Sequence, residues 1–183
     1  MEQKSTFWKS AMIYGLYFGV AITFYSVILY VLGLSLNENI KYLSFLLSAV
    51  GVVIVQINYR NRELDGVISY GQALGFGVAV ILIGSIITSI YSFIIFSIDP
   101  SLIEQIKIAQ EEAMLKKGMS EDQIEAGVAM FSKMSSPGIM AIFSLFGSLF
   151  FGTIISLVTS IFVKRQPNMD AFDEAMEDIK IDE

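Results

Sequence analysis

The chain is 183 residues long, 54% apolar and only 16% charged, with a formal net charge of −6, no His and no Cys. Soluble domains are about 25% charged and disordered chains are more polar still, so both classes are excluded and the length fits a single membrane-embedded domain. Without Cys there is no disulfide framework or thiolate cluster, and without His there is no imidazole base and none of the usual zinc, haem or copper ligand sets, so no cofactor is expected.

Four runs carry no Asp, Glu, Lys or Arg: Ala11 to Ser35, Tyr42 to Tyr59, Gly66 to Ile98 and Ser135 to Val163. A helix rises about 1.5 Å per residue and the hydrocarbon core is about 30 Å thick, so roughly 20 apolar residues span it. Transmembrane helices are therefore expected over about 11–34, 41–58, 68–98 and 137–163. Barrel strands would alternate apolar and polar residues, whereas stretches such as Val50 to Val55 and Ile81 to Ile83 are continuously apolar. The second run is the most diluted, by Ser44, Ser48, Gly51 and Gln56. Lys4 and Lys9 precede the first run as in a signal peptide, but the run is about twice the usual length and no A-x-A-like site follows, so it reads as an uncleaved first helix.

Orientation follows from the loops. A cytoplasmic N-terminus puts Lys4, Lys9, Arg60, Arg62, Lys164 and Arg165 inside, next to helix ends, with both termini cytoplasmic. Phe7, Trp8 and Tyr59 then read as aromatic anchors on the inner side, and Tyr30 and Tyr42 as anchors on the outer. The third and fourth helices, about 48 Å and 40 Å long if helical over Val67–Ile98 and Pro137–Val163, exceed a flat bilayer and should tilt or protrude.

Between them, 99–136 is the one substantial polar stretch and reads as an extracytoplasmic pair of helices. Asp99-Pro100 is a start signal, with Ser101 to Glu104 as an alternative capping box. Gly118 ends the first helix and Ser120 to Gln123 opens the second. Leu102, Ile106, Ala109 and Ala113 share one face, as do Ile124, Val128, Phe131 and Met134, while six carboxylates from Glu104 to Glu125 fill the opposite faces. Such a hairpin either lays its apolar face on the bilayer or over the helix ends, or docks a partner outside the membrane. The acids lack the 12-residue loop spacing of a calcium site.

Lys164-Arg165 and Pro167 stop the last helix, and the acidic tail 166–183 follows. In it Met169, Phe172, Met176 and Ile179 recur at helical spacing among acids, which gives a candidate partner-docking face or a solvated tail. An anionic leaflet would repel it.

Gly15 and Gly19 form a GxxxG in the first helix, Gly71 and Gly75 another in the third, and Ser148 and Gly152 a small-xxx-small pair in the fourth. These are candidate helix-packing positions, within one chain or along a seam between copies. The Gly71 to Gly77 stretch has no Lys-Ser or Lys-Thr ending and is not a nucleotide loop. No ionisable residue other than Tyr lies inside the expected spans, which argues against a proton or ion carrier and leaves hydrolysis without a visible base. Gln56, Asn58 and Gln72 are expected to bond between helices, whereas Ser and Thr readily satisfy themselves on their own helix backbone.

Tyr59-Arg60-Asn61 followed by Gly66-Val67-Ile68-Ser69-Tyr70-Gly71-Gln72-Ala73 resembles the signature of the bacterial family catalogued as domain of unknown function 4199. The acidic, Met-bearing segment before a Pro137-led last helix ending in Lys164-Arg165 agrees with it, while the tail after Arg165 is longer than the family pattern. The resemblance implies a small four-helix inner-membrane protein of Bacteroidota and carries over no functional residues. The expected fold is thus an all-α, multi-pass, integral membrane four-helix bundle with an extracytoplasmic helical hairpin between its third and fourth transmembrane helices. The expected partners are the lipid bilayer and a membrane or envelope protein, with no nucleic acid. The expected role is a non-catalytic accessory or scaffold subunit of an envelope complex. A small oligomeric transporter or channel is the alternative, and an intramembrane lipid-modifying enzyme acting through Arg60, Arg62, Glu63 and Asp65 comes third.

Overall fold

The computed structural model describes residues 2–166, so Met169, Phe172, Met176 and Ile179 lie outside the described residues. It is all-helical: α1 (Glu2–Val31), α2 (Glu38–Glu63), α3 (Tyr70–Ile98), α4 (Ser101–Lys116), α5 (Glu121–Met134) and α6 (Pro137–Val163). By length and apolarity α1, α2, α3 and α6 can cross a membrane. At about 44 Å and 40 Å, α3 and α6 are longer than the hydrocarbon core is thick.

Each helix ends for a local reason. Past α1, Gly33 adopts φ 68° and the Leu34 and Gly33 amides donate back to the Leu29 and Tyr30 carbonyls, a Schellman turn. Gly118 repeats this after α4 with φ 72°. Asn37 caps α2, and Ser136 caps α6 with Pro137 at its first position. Ser120 and Gln123 form the expected capping box of α5.

The start of α4 differs from the sequence reading. The helix begins at Ser101, and the Asp99 carboxylate accepts from the Ser101 amide and hydroxyl as an Asx turn one step outside it. Glu104 pairs with Lys107 at 3.2 Å instead of closing a box with Ser101. Gln72 also differs: among the described residues it bonds to no other helix, and it forms a capping box with Ser69 at the start of α3.

The centre of the molecule is α3, with α1 and α6 packed along it and α2 set against α6 and α3. Side chains at the crossings are small because lipid gives no hydrophobic drive and close backbone approach must supply dispersion. A methyl group at Gly19 would stand 2.9 Å from Gly84 Cα and 3.0 Å from its carbonyl oxygen. The same group at Gly15 would meet Ile83 Cβ at 2.7 Å, and at Gly152 it would meet Ile81 Cγ2 at 2.5 Å.

The Arg60 end is closed. Phe76 is fully buried and stacks on Tyr59 at 3.8 Å, with Phe7 and Tyr14 edge-on at 5.8 and 5.9 Å. Tyr59 is therefore a core residue and not an interfacial anchor, because the last turn of α2 is drawn inward. Arg60 Nη1 donates to the Val163 carbonyl at 3.0 Å, and Ile68 and Arg165 exchange two backbone bonds of 2.9 Å. These contacts tie the α2–α3 turn to the end of α6.

Candidate functional site

Two polar features stand out, one closed and one open. The closed one lies between α2, α3 and α6. Gln56, fully buried, donates through Nε2 to the Ala73 carbonyl at 3.0 Å, Ser160 Oγ at 3.0 Å and Ser156 Oγ at 3.3 Å. Both serine hydroxyls donate onward to helix carbonyls, Ser156 to Leu74 and Ser160 to Ser156, so they can only accept from the amide. Gln56 Oε1 is buried with no donor among the described residues. Gly77 makes room for the knot: a Cβ there would overlap Ser156 Oγ. This is the bonding between helices expected of Gln56. Asn58, by contrast, donates to the Ile54 carbonyl of its own helix.

The open feature is at the Asp99 end. There α2 leans away from α1, and a cleft of about 310 Å³ opens between α1, α2 and α3 beneath α4. Its size falls in the range of about 300–1,000 Å³ typical of small-molecule sites. Leu102 and Ile106 of α4 line its roof, so the apolar face legible in the sequence points inward. The walls carry a belt of hydroxyls, Tyr25, Tyr30, Ser44, Ser48, Tyr91 and Ser92. Most serines are spent locally: Ser44 and Ser48 bond to carbonyls one turn back. Ser44 Oγ also reaches Tyr25 Oη at 3.2 Å, a polar link between α1 and α2.

Towards the middle of α3 a smaller cavity of about 140 Å³ continues the cleft, since Ile22 and Ser48 line both. Its walls are apolar, with Phe18, Val52, Ile81 and Ile155, and it is kept open by Gly84 and Gly152. Ser148 lies on its rim.

At the mouth, Tyr30 Oη donates to Asp99 Oδ2 at 3.0 Å and so joins the end of α1 to the end of α3. Hydrogen bonds from the Ser101 side chain and then from Tyr30 hold the Asp99 carboxyl below its ordinary value. A group depressed in this way lends stability above its ordinary pKa, and that stability is lost as pH falls through the folded value. Tyr30→Phe is expected to raise the carbon-13 titration midpoint of Asp99 towards the ordinary value, and an unchanged midpoint would show that the tyrosine does not act on it.

The positions singled out in the sequence divide unevenly. Gly15, Gly19 and Gly152 sit at crossings, and Ser148 borders the small cavity, whereas nothing among the described residues lies within 4 Å of a Cβ at Gly71 or Gly75. Arg60 is engaged with Val163, and Arg62, Glu63 and Asp65 are exposed. Among the described residues no cluster of Asp and Glu is placed to hold a metal ion. The sequence reading missed the convergence of Tyr25, Tyr30, Tyr91 and Asp99; the signal available was the four-residue spacing of Ser26 with Tyr30 and of Ser44 with Ser48. No curated protein and no solved structure gives a significant match to the chain. Residues 13–165 do match a family described as Protein of unknown function (DUF4199), and the chain belongs to that family.

Proposed function

We propose that the chain is a non-catalytic accessory or scaffold subunit of an envelope complex in a bacterial inner membrane. In this reading its four spans form one bundle, both termini are cytoplasmic, and the α4–α5 hairpin lies on the far side. The observation that carries the reading is the division of α4 and α5 into two faces. Ile124 is buried and Met114 is closed over Gly127, while Ile108, Leu115 and Met130 stay exposed beside the exposed carboxylates Glu104, Glu111, Glu112, Glu121, Asp122 and Glu125. A carboxylate surface of this kind suits a cationic partner surface. The clustering of Arg60 and Arg165 at the opposite end supports the orientation through the bias of basic residues to the cytoplasm.

The transporter reading is weakened by the closed end, where the Phe76–Tyr59 stack and the Gln56 knot fill the interior. Affinity purification in mild detergent should recover a partner at near-stoichiometric amounts, lost when the six carboxylates are neutralised to amides. An inert homo-oligomer from native membranes would overturn the reading. So would labelling that put the hairpin and residue 166 in one compartment.

A further inference from the structure

Going from mouth to floor, the cleft changes from the carboxylate of Asp99, to a belt of hydroxyls, to walls that are mostly apolar with Ser85, Thr88 and Ser148 among them. Along α3 the distance from Ser85, which borders the deep cavity, to Asp99 at the mouth is about 21 Å, and half a bilayer including its headgroups is about 20–22 Å thick. The cleft therefore has the depth of one lipid leaflet. The extension of about 140 Å³ past Ile22 and Ser48 suits the thin profile of an alkyl chain better than the width of a protein helix, about 10–12 Å.

The polar groups state what kind of headgroup would fit. Asp99 is the ionised group at the mouth, and among the described residues no Lys or Arg lines the cleft or its two adjoining recesses. The nearest cation on α4, Lys107, is turned to Glu104. A lipid with net negative charge would meet uncompensated repulsion there. The carboxylate takes three hydrogen bonds, two from Ser101 and one from Tyr30, which leaves acceptor capacity and its whole charge for one further donor. Deeper in, Ser44 spends its one hydrogen on the Ile40 carbonyl and can only accept from Tyr25 at 3.2 Å, whereas the Tyr91 hydroxyl has no protein partner among the described residues. Tyr91 lines the cleft, at the depth where phosphate and ester oxygens follow a headgroup.

We propose that this cleft binds one phospholipid whose headgroup carries a primary ammonium, of the phosphatidylethanolamine class. The ammonium bonds to Asp99, a phosphate or ester oxygen accepts from Tyr91, and one acyl chain enters the cavity beside Gly84 and Gly152. The site is independent of the docking surface assigned to α4 and α5.

The test is to place the full-length protein in nanodiscs of equimolar phosphatidylethanolamine, phosphatidylglycerol and phosphatidylcholine, re-extract it mildly, and weigh the retained lipid by native mass spectrometry. The expected result is one phosphatidylethanolamine per chain, enriched about fivefold over phosphatidylglycerol, the ratio given by about 1 kcal/mol for a single charge. Asp99→Asn should keep a lipid but lose the preference, and Ser48→Phe, which blocks the neck between the two cavities, should lose the lipid. Helical circular dichroism confirms that each variant is folded, and the wild-type ratio decides the headgroup class by itself. Equal retention of all three lipids, preference for phosphatidylglycerol, no retained lipid, or a co-purified polypeptide in its place would overturn the proposal.

Discussion

Gly19→Ala is expected to destabilise the protein by about 1–3 kcal/mol, whereas Gly75→Ala, in the other GxxxG, should stay within about 0.5 kcal/mol of wild type. The two substitutions add the same methyl group to similar membrane helices. At Gly19 that group is driven into Gly84 backbone at 2.9 and 3.0 Å, and backbone cannot change rotamer to make room, so α1 must move off α3. At Gly75 nothing among the described residues is within 4 Å. Helicity followed through a titration with dodecyl sulfate in mixed micelles would give both values. Equal losses at the two sites would mean that the crossing does not set the effect, since intrinsic helix preference favours Ala over Gly at both. A loss at Gly75 that depended on protein concentration would reveal contact with another copy.

The second large effect is expected at Gln56. Gln56→Glu should destabilise the fold by about 3 kcal/mol near neutral pH, close to the insertion penalty of a carboxylate at a helix centre. Gln56→Met should change stability by less than about 1 kcal/mol. A hydrogen bond between helices in a membrane returns about 0.6 kcal/mol, while one buried acceptor without a donor costs about 1–3 kcal/mol. Gln56 shares its two Nε2 hydrogens among three acceptors and leaves Oε1 unpaired, so an apolar side chain of similar length loses little. A carboxylate keeps the acceptors and loses the donor that Ala73, Ser156 and Ser160 require. The same titration checks both variants, and a methionine variant as damaged as the glutamate would show that the knot is worth more than its hydrogen bonds suggest.

The sequence reading reached the spans because length and absence of charge suffice for them, and it reached the cap of α5 because Ser120 and Gln123 have the spacing that closes it. Ser69 and Gln72 carry the same signal, yet Gln72 also lies where a polar side chain would bridge helices, and local geometry prevailed. What sequence could not supply is rotation about each helix axis. A soluble helix shows its buried side by a polar stripe opposite, but α1 is apolar all round and lipid accepts any face. Hence Tyr25 and Tyr30 could not be assigned to a common cleft, and Tyr59 read as an anchor when it is the centre of an aromatic stack. Asp99 was visible as a helix-start signal, and its bond to Tyr30, 69 residues earlier, was not.

The unequal fastening of the two ends has a mechanical consequence. At one end a backbone bridge, an arginine on a carbonyl and a stacked ring pair hold α2, α3 and α6 together; at the other, α1 meets its neighbours through single hydroxyl contacts at Tyr25 and Tyr30. With single polar links from α1 at the cleft end and several fastenings at the Arg60 end, local opening costs least where α1 and α2 face the cleft, and amide exchange is expected to be faster there than beside the aromatic stack.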